Sequence, residues 1–145
     1  MKIEIKKAAE SDLDFIAELE KATFSLPQSR QDFIDMTENP EKHLLVAMLD
    51  GERVGYIGAY TVCRESDIMT VAVLPAFRQK GVGRALVNSL FDELLGKSDT
   101  LFLEVRESNS TARKLYSSLG FCEVGTRKNY YKLPTENAIL YKKDL

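Results

Sequence analysis

The chain has 145 residues, 44% of them hydrophobic, with a formal net charge of -2 and a pI ≈ 5.5. That length supports one well-buried core and is short for two, so a single domain over residues 1–145 is expected. The acidic balance argues against a duplex-binding protein, whose affinity comes from neutralising phosphates with a basic face, and suits a cationic substrate better.

The first residues, Met1-Lys2-Ile3-Glu4-Ile5-Lys6, alternate charged and apolar side chains and read as neither a signal nor a transit peptide. No apolar run approaches a membrane span. A cytoplasmic protein without a membrane partner is the expectation. Cys63 and Cys122 lie in strand-like apolar sequence without a CxxC spacing, which predicts two buried, reduced thiols. His43 is the only histidine, so zinc clusters and histidine triads drop out and no metal is expected.

Ile3 to Ile5 predicts a short strand, and Ser11-Asp12-Leu13-Asp14 carries an S-x-x-D helix start, followed by Phe15, Ile16 and Leu19 as a buried stripe. A turn through Ser25-Leu26-Pro27-Gln28 leads to a second cap, Ser29 to Asp32, and a short helix carrying Phe33 and Ile34. Leu44 to Leu49 and Arg53 to Val62 predict strands joined by a tight hairpin at Asp50-Gly51. A fourth strand spans about Asp67 to Val73. The next helix shows the apolar pairs Leu86/Val87, Leu90/Phe91 and Leu94/Leu95, with Gly96 as its C′ residue.

Leu101 to Val105 is the fifth strand, and the intervening helix makes strands four and five a parallel crossover pair. A helix from Ser110 to Leu119 closes at Gly120, and Phe121 to Lys132 with Ala138 to Lys142 form a final antiparallel pair. The fold class is therefore α/β, with antiparallel N-terminal strands, a parallel pair, and flanking helices. Ligands of such sheets bind outside the carboxyl ends of parallel strands that feed separate helices.

The turn leaving strand four reads Arg78-Gln79-Lys80-Gly81-Val82-Gly83-Arg84. Two glycines let backbone N–H groups converge, the first helical turn leaves its donors unpaired, and three cations add charge, which makes either a phosphate cradle or a plain basic connection before a helix. The spacing fits neither a P-loop nor a dinucleotide fingerprint. Glu104 inside the apolar run Leu101 to Val105 is either a paired carboxylate on the sheet's other face, beside Arg106, or a functional one. Asn109 and Tyr116, seven residues apart, would share one helix face, as a cap and a half-buried aromatic or as a functional pair.

The RxxGxG stretch, together with LEVRESNSTARKLYSSLGF, resembles the GNAT acetyltransferases, and LEVRxSN with the later RKNYY resembles more narrowly the bacterial ribosomal-protein-alanine N-acetyltransferases. The resemblance spans nearly the whole chain. It implies a GNAT fold, strands four and five splayed around acetyl-CoA as cosubstrate, and direct transfer to the N-terminal α-amine, with alanine first, of a ribosomal protein. Residue by residue it implies Glu104 as general base, Tyr116 as general acid, and Asn109 as a cosubstrate ligand. Val71, Ala72 and Val73 would line the pantetheine, and Arg78, Gln79, Lys80, Gly81, Val82, Gly83 and Arg84 would take the pyrophosphate. Pro27, Gln28, Tyr130 and Tyr131 would meet the acceptor, the alternative for the tyrosines being two strand residues that alternate across a sheet. Gln28 stands where Trp is usual in these relatives, and Asn137 where an acid is common. The implied protein works as a monomer or weak dimer without direct nucleic-acid binding. Acetylation of a small-molecule amine and a non-catalytic acyl-CoA-binding module are the alternatives.

Overall fold

Asp50 and Gly51 both take positive φ, 49° and 86°, and bring Leu49 opposite Glu52 in the tight hairpin that the Asp-Gly pair dictates. The structure, a computed structural model, describes residues 2–145. In chain order it comprises β1 (Ile3–Lys7), α1 (Leu13–Thr23), α2 (Arg30–Glu38), β2 (Lys42–Leu49), β3 (Glu52–Val62), β4 (Glu65–Val73), α3 (Val82–Leu94), β5 (Thr100–Arg106), α4 (Ser110–Ser118), β6 (Cys122–Tyr131) and β7 (Glu136–Asp144). The strands form one seven-stranded sheet in the order β1-β2-β3-β4-β5-β7-β6. β1 to β4 run antiparallel, β4 and β5 parallel, and β7 inserts antiparallel between β5 and β6.

The parallel pairing is short. It covers Glu65 to Asp67 against Thr100 to Phe102 and then stops. One residue further, β4 shifts register against β3, pairing Ile68 with Ala59 but Thr70 with Gly58, so that Met69 is an extra residue. A bulge bends and twists its strand. Beyond it β4 follows β3 while β5 follows β7, and a gap opens between their carboxyl ends.

Helices cover both faces. Leu86, Val87, Leu90 and Leu94 of α3, with Tyr116 of α4, pack on Leu45, Ala47, Ile57, Leu101 and Leu103. Leu13, Ile16 and Leu19 of α1, with Phe33 and Met36 of α2, pack on Leu44, Tyr56 and Ala72 on the opposite face. α2 begins in the expected capping box, with reciprocal Ser29 and Asp32 bonds of 2.8 and 3.1 Å. α1 begins differently from the expected Ser11 signal. A short 3-10 turn, Glu10–Asp12, precedes it, and the buried Asp12 accepts from the Ala9 N–H at 2.8 Å, Lys6 at 2.6 Å and Arg53 at 2.7 Å. Burial opposes the Asp12 charge, but the Ala9 N–H, Lys6 and Arg53 outweigh it and hold the carboxyl below its ordinary range.

Three further expectations are corrected. Cys63 and Cys122 are both exposed and free, because Cys63 is the first residue of the Cys63-Arg64 turn, with φ of 51° and 64°, and Cys122 opens the edge strand β6. Leu95 is exposed as the C-cap of α3, so the apolar repeat ends at Leu94. Phe15 is only half-buried, the stripe of α1 running instead through Leu13, Ile16, Leu19 and Glu20. Among the described residues no helix is long and apolar enough to cross a membrane.

Candidate active site

The glycine turn leaves the start of α3 uncapped. Gln79 and Gly81 take φ of 63° and 86°, Gly81 is the N-cap of α3 without any side-chain cap, and a Cβ built on Gly81 meets nothing within 4 Å. The first N–H groups of α3 therefore point, uncapped, into open space at the positive end of the helix. Gly83 lies inside the helix facing α4, where a Cβ would come into van der Waals contact with the Leu115 side chain at 3.4 Å. Val82 is buried in the core and offers only its N–H. The cations are held by the fold: Arg78 Nε donates to the Val73 carbonyl at 3.1 Å, Arg84 donates to Ser118 at 2.8 Å, and Lys80 lies 5.8 Å from the Phe77 ring centre.

Val71, Ala72 and Val73 line the gap. The Leu74 N–H bonds to the Val54 carbonyl, and alternate residues of an antiparallel strand face opposite edges, so Ala72 faces β3 whereas the N–H groups of Val71 and Val73 face β5. There β5 has already diverged, which leaves these donors aimed into the gap.

Glu104 belongs to β5, whose Leu101, Leu103 and Val105 enter the core under α3. Strand alternation turns Phe102, Glu104 and Arg106 to the α1 and α2 face. The Glu104 side chain, 26% exposed, pairs with Arg127 Nε of β6 at 3.3 Å. Arg106 shares the face but serves another segment, donating to the Lys132 and Pro134 carbonyls at 2.9 Å each. The paired-carboxylate geometry is thus real, with Arg127 as its base.

Around Glu104 stand groups that sequence reasoning did not single out. Tyr60 and Asp67 face each other across β3 and β4. Burial, with Tyr60 opposing and the charges of Glu104 and Glu65 assisting, raises the Asp67 carboxyl above its ordinary value. The charge of Asp67, then burial, pushes up the Tyr60 phenol. Tyr130 is raised by burial, by the Glu104 charge and by a hydrogen bond to it. Tyr131 is pushed up to about 12 by burial and then by Glu104. An acidic side chain opening a beta-branched strand, Asp67 before Ile68, was the available sign for this cluster.

Tyr116 belongs to the opposite face of the sheet from Glu104. It is buried on α4, its ring 5.5 Å from Phe121 and 6.4 Å from Tyr141. Burial and then the nearby Tyr131 raise its phenol far above the ordinary value, so it holds its proton at any physiological pH. Whereas Tyr116 is buried, Asn109 is the exposed N-cap of α4, and its side-chain oxygen accepts from the Ala112 N–H at 3.1 Å. Its amide N–H group is the part left for a ligand.

Two segments frame Glu104 on its own face. Pro27 and Gln28 lie in the loop between α1 and α2, and Ser25 of that loop donates to the Lys132 carbonyl at 3.2 Å. Tyr130 and Tyr131 do not alternate across the strand. The positive φ of Asn129, 53°, and the register shift before Tyr131 bring their rings together edge to face at 5.2 Å, under Arg127 and Arg106 at 5.4 and 4.6 Å. Asn137 steadies this bend by accepting the Asn129 N–H at 2.9 Å. Glu20 was missed altogether. It bonds Tyr56, Thr70 and the Gln28 N–H, and its sign was its position four residues after Ile16, within the apolar stripe of α1.

Known proteins match this arrangement. The family profile described as Acetyltransferase (GNAT) family matches residues 13–121. The [ribosomal protein bS18]-alanine N-acetyltransferase of Haemophilus influenzae is 36% identical over 135 residues, 89% of this chain and 90% of that protein. The crystal structure of the ribosomal-protein-S18-alanine N-acetyltransferase from Escherichia coli superposes with a TM-score of 0.88 at 31% identity, covering 99% of this chain and 94% of that one. Arabidopsis thaliana NAA60 in complex with acetyl-CoA superposes with a TM-score of 0.89 at 18% identity, 99% of each chain being covered, and so shares the fold.

Proposed function

Because the chain belongs to the GNAT acetyltransferase family, we propose that this N-acetyltransferase moves acetyl from acetyl-CoA to the α-amine of a protein N-terminus, alanine of a ribosomal protein first among acceptors. The observation that carries the reading is the placement of Glu104: beside the gap between β4 and β5, on the face framed by the 24–29 loop and by Tyr130 and Tyr131. The relatives named for alanine N-acetylation support the choice of acceptor. The whole of residues 1–145 acts as one such domain in this reading, in the cytoplasm with the acceptor.

The residues present fit acetyl-CoA. Uncapped N–H groups at the start of α3 suit its pyrophosphate, and the Val71 and Val73 donors suit the extended arm and the acetyl carbonyl. Bound there, acetyl-CoA supplies an activated acetyl thioester. Glu104 takes a proton from the arriving ammonium, directly or through water. Tyr116, protonated and on the opposite face, would give its hydroxyl proton to the departing sulfur, and the second proton that nitrogen sheds as the amide forms would restore the phenol. Val71 and Val73 N–H groups receive the carbonyl oxygen as it gains charge, without rearranging. No protein nucleophile takes part.

An α-amine suits a single carboxylate base. Its ordinary pKa near 7.8 against 10.4 for lysine gives it roughly a 300-fold larger neutral fraction at pH 7. Incubation with acetyl-CoA and paired peptides tests the reading: a free N-terminal alanine should be acetylated, and the same peptide N-blocked but carrying lysine should react poorly. Mass spectra placing acetyl mainly on lysine would overturn it.

A further inference from the structure

Glu20 is a buried carboxylate that takes no part in this chemistry. It is only 3% exposed on α1, and among the described residues no cation pairs with it. Its Oε1 accepts from the Tyr56 and Thr70 hydroxyls, each at 2.6 Å, and its Oε2 accepts the Gln28 backbone N–H at 2.9 Å. A charge without a counter-ion is costly to bury, and an apolar side chain would fill the same stripe of α1 at no such cost. What only an acceptor with two oxygens does here is tie the 24–29 loop to the sheet. The strand end of that tie is Thr70, which follows the bulge at Met69 and immediately precedes Val71. The loop end is Gln28, whose own side-chain oxygen is buried with no hydrogen-bond partner among the described residues. A buried acceptor left in that state is disfavoured unless a donor arrives.

We infer that Glu20 is a positioning residue for the acceptor: it holds the Gln28 N–H and Thr70 together, so that the Gln28 side-chain oxygen receives an N–H of the incoming chain end in register with Val71 and Val73. The inference rests on the acetyl-transfer reading above, with the acceptor entering past the 24–29 loop.

Glu20→Gln tests it, because the amide keeps one oxygen for Tyr56 and Thr70 and turns an N–H group toward the Gln28 donor. The KM for the alanine peptide should rise about tenfold or more, the change that loss of one hydrogen bond to a charged group brings, while acetyl-CoA binding by calorimetry stays unchanged. Tyr56→Phe is the comparison. It removes a donor from Oε1 but leaves the Gln28 bond, so it should lower the melting temperature without moving the peptide KM. If both variants raise the peptide KM in proportion to their loss of stability, Glu20 is merely structural and the inference fails. Should Glu20→Gln not fold, hydrogen exchange of the wild-type protein decides: the Gln28 amide should exchange slowly, and exchange at the rate of an open loop overturns the inference. If the wild type acetylates no peptide, the acetyl-transfer reading fails on its own, and the same exchange measurement still shows whether Glu20 holds the loop.

Discussion

Glu104→Gln separates a base from a paired surface carboxylate, because glutamine keeps the shape and loses only the proton acceptor. Its effect on stability should be small. Arg127 and Glu104 are 55% and 26% exposed, and an ion pair that wet contributes about 1 kcal/mol or less. Its effect on rate should be large at neutral pH, about 10² to 10⁴-fold for a lost general base. The pH dependence is the sharper signature. With an α-amine pKa near 7.8, about 5% of the peptide is neutral at pH 6.5 and about 94% at pH 9, so the deficit of the variant should shrink roughly 20-fold across that interval. Initial rates with an alanine peptide, read as released thiol under saturating acetyl-CoA, give the profile; a single-turnover measurement establishes that chemistry limits the rate. A deficit that stays constant from pH 6.5 to 9, or wild-type turnover throughout, refutes the assignment and leaves Glu104 as the partner of Arg127.

Tyr116→Phe keeps the ring against Phe121 and Tyr141 but removes the proton donor, so turnover should fall about 10²-fold or more without recovery at high pH. Gly81→Asp puts a charge on the uncapped start of α3; since a Cβ there meets no atom within 4 Å, the fold should lose only about 1–2 kcal/mol from the positive φ, while calorimetry should show acetyl-CoA binding abolished. Gly55→Ala would set a Cβ 2.8 Å from the Ala72 carbonyl, which only parting β3 from β4 relieves; a loss of about 1–3 kcal/mol in denaturant melts should come with weaker acetyl-CoA binding, because Ala72 sits between Val71 and Val73. Asp67→Asn should stabilise the protein. Burial and then, against the help of Tyr60, the Glu104 charge raise the Asp67 pKa above 3.8, so its ionisation opposes folding above that range. The gain in melting temperature should be full at pH 7 and vanish as pH falls through the ordinary carboxyl range.

The elements specified by local chemistry were legible from residues alone. Asp50-Gly51 fixed a hairpin, Ser29 and Asp32 fixed a helix start, and the fourfold repeat from Leu86 to Leu94 fixed the buried face of α3. What is set by packing between distant segments was not. Nothing near Glu136–Asp144 says that this strand docks on β5 rather than at an edge, since that depends on how β5 has parted from β4. The cysteines misled because a strand-like neighbourhood does not tell a hairpin turn or an edge strand from a central one. At the site, Glu104 stood out as a charge in an apolar run, whereas Glu20 did not, because a glutamate on an amphipathic helix ordinarily faces water.

The residues that conflict most with simple stability converge on one place. β4 and β5 give up ladder pairing beyond Asp67 and Phe102, Asp67 is held beside Glu104, Glu20 is buried without a cation among the described residues, and Tyr116 is buried among the rings of Phe121 and Tyr141. Each departure costs stability, while the helices are packed on the sheet in two apolar layers. The gap orders the costs. In the proposed reaction Glu104 on the α1 and α2 face and Tyr116 on the α4 face can address one bond from opposite sides only if the sheet between them is open. The bulge at Met69 is therefore as much a part of the candidate site as Glu104: restoring continuous β4–β5 pairing would repair the ladder and close the gap between the faces that carry Glu104 and Tyr116.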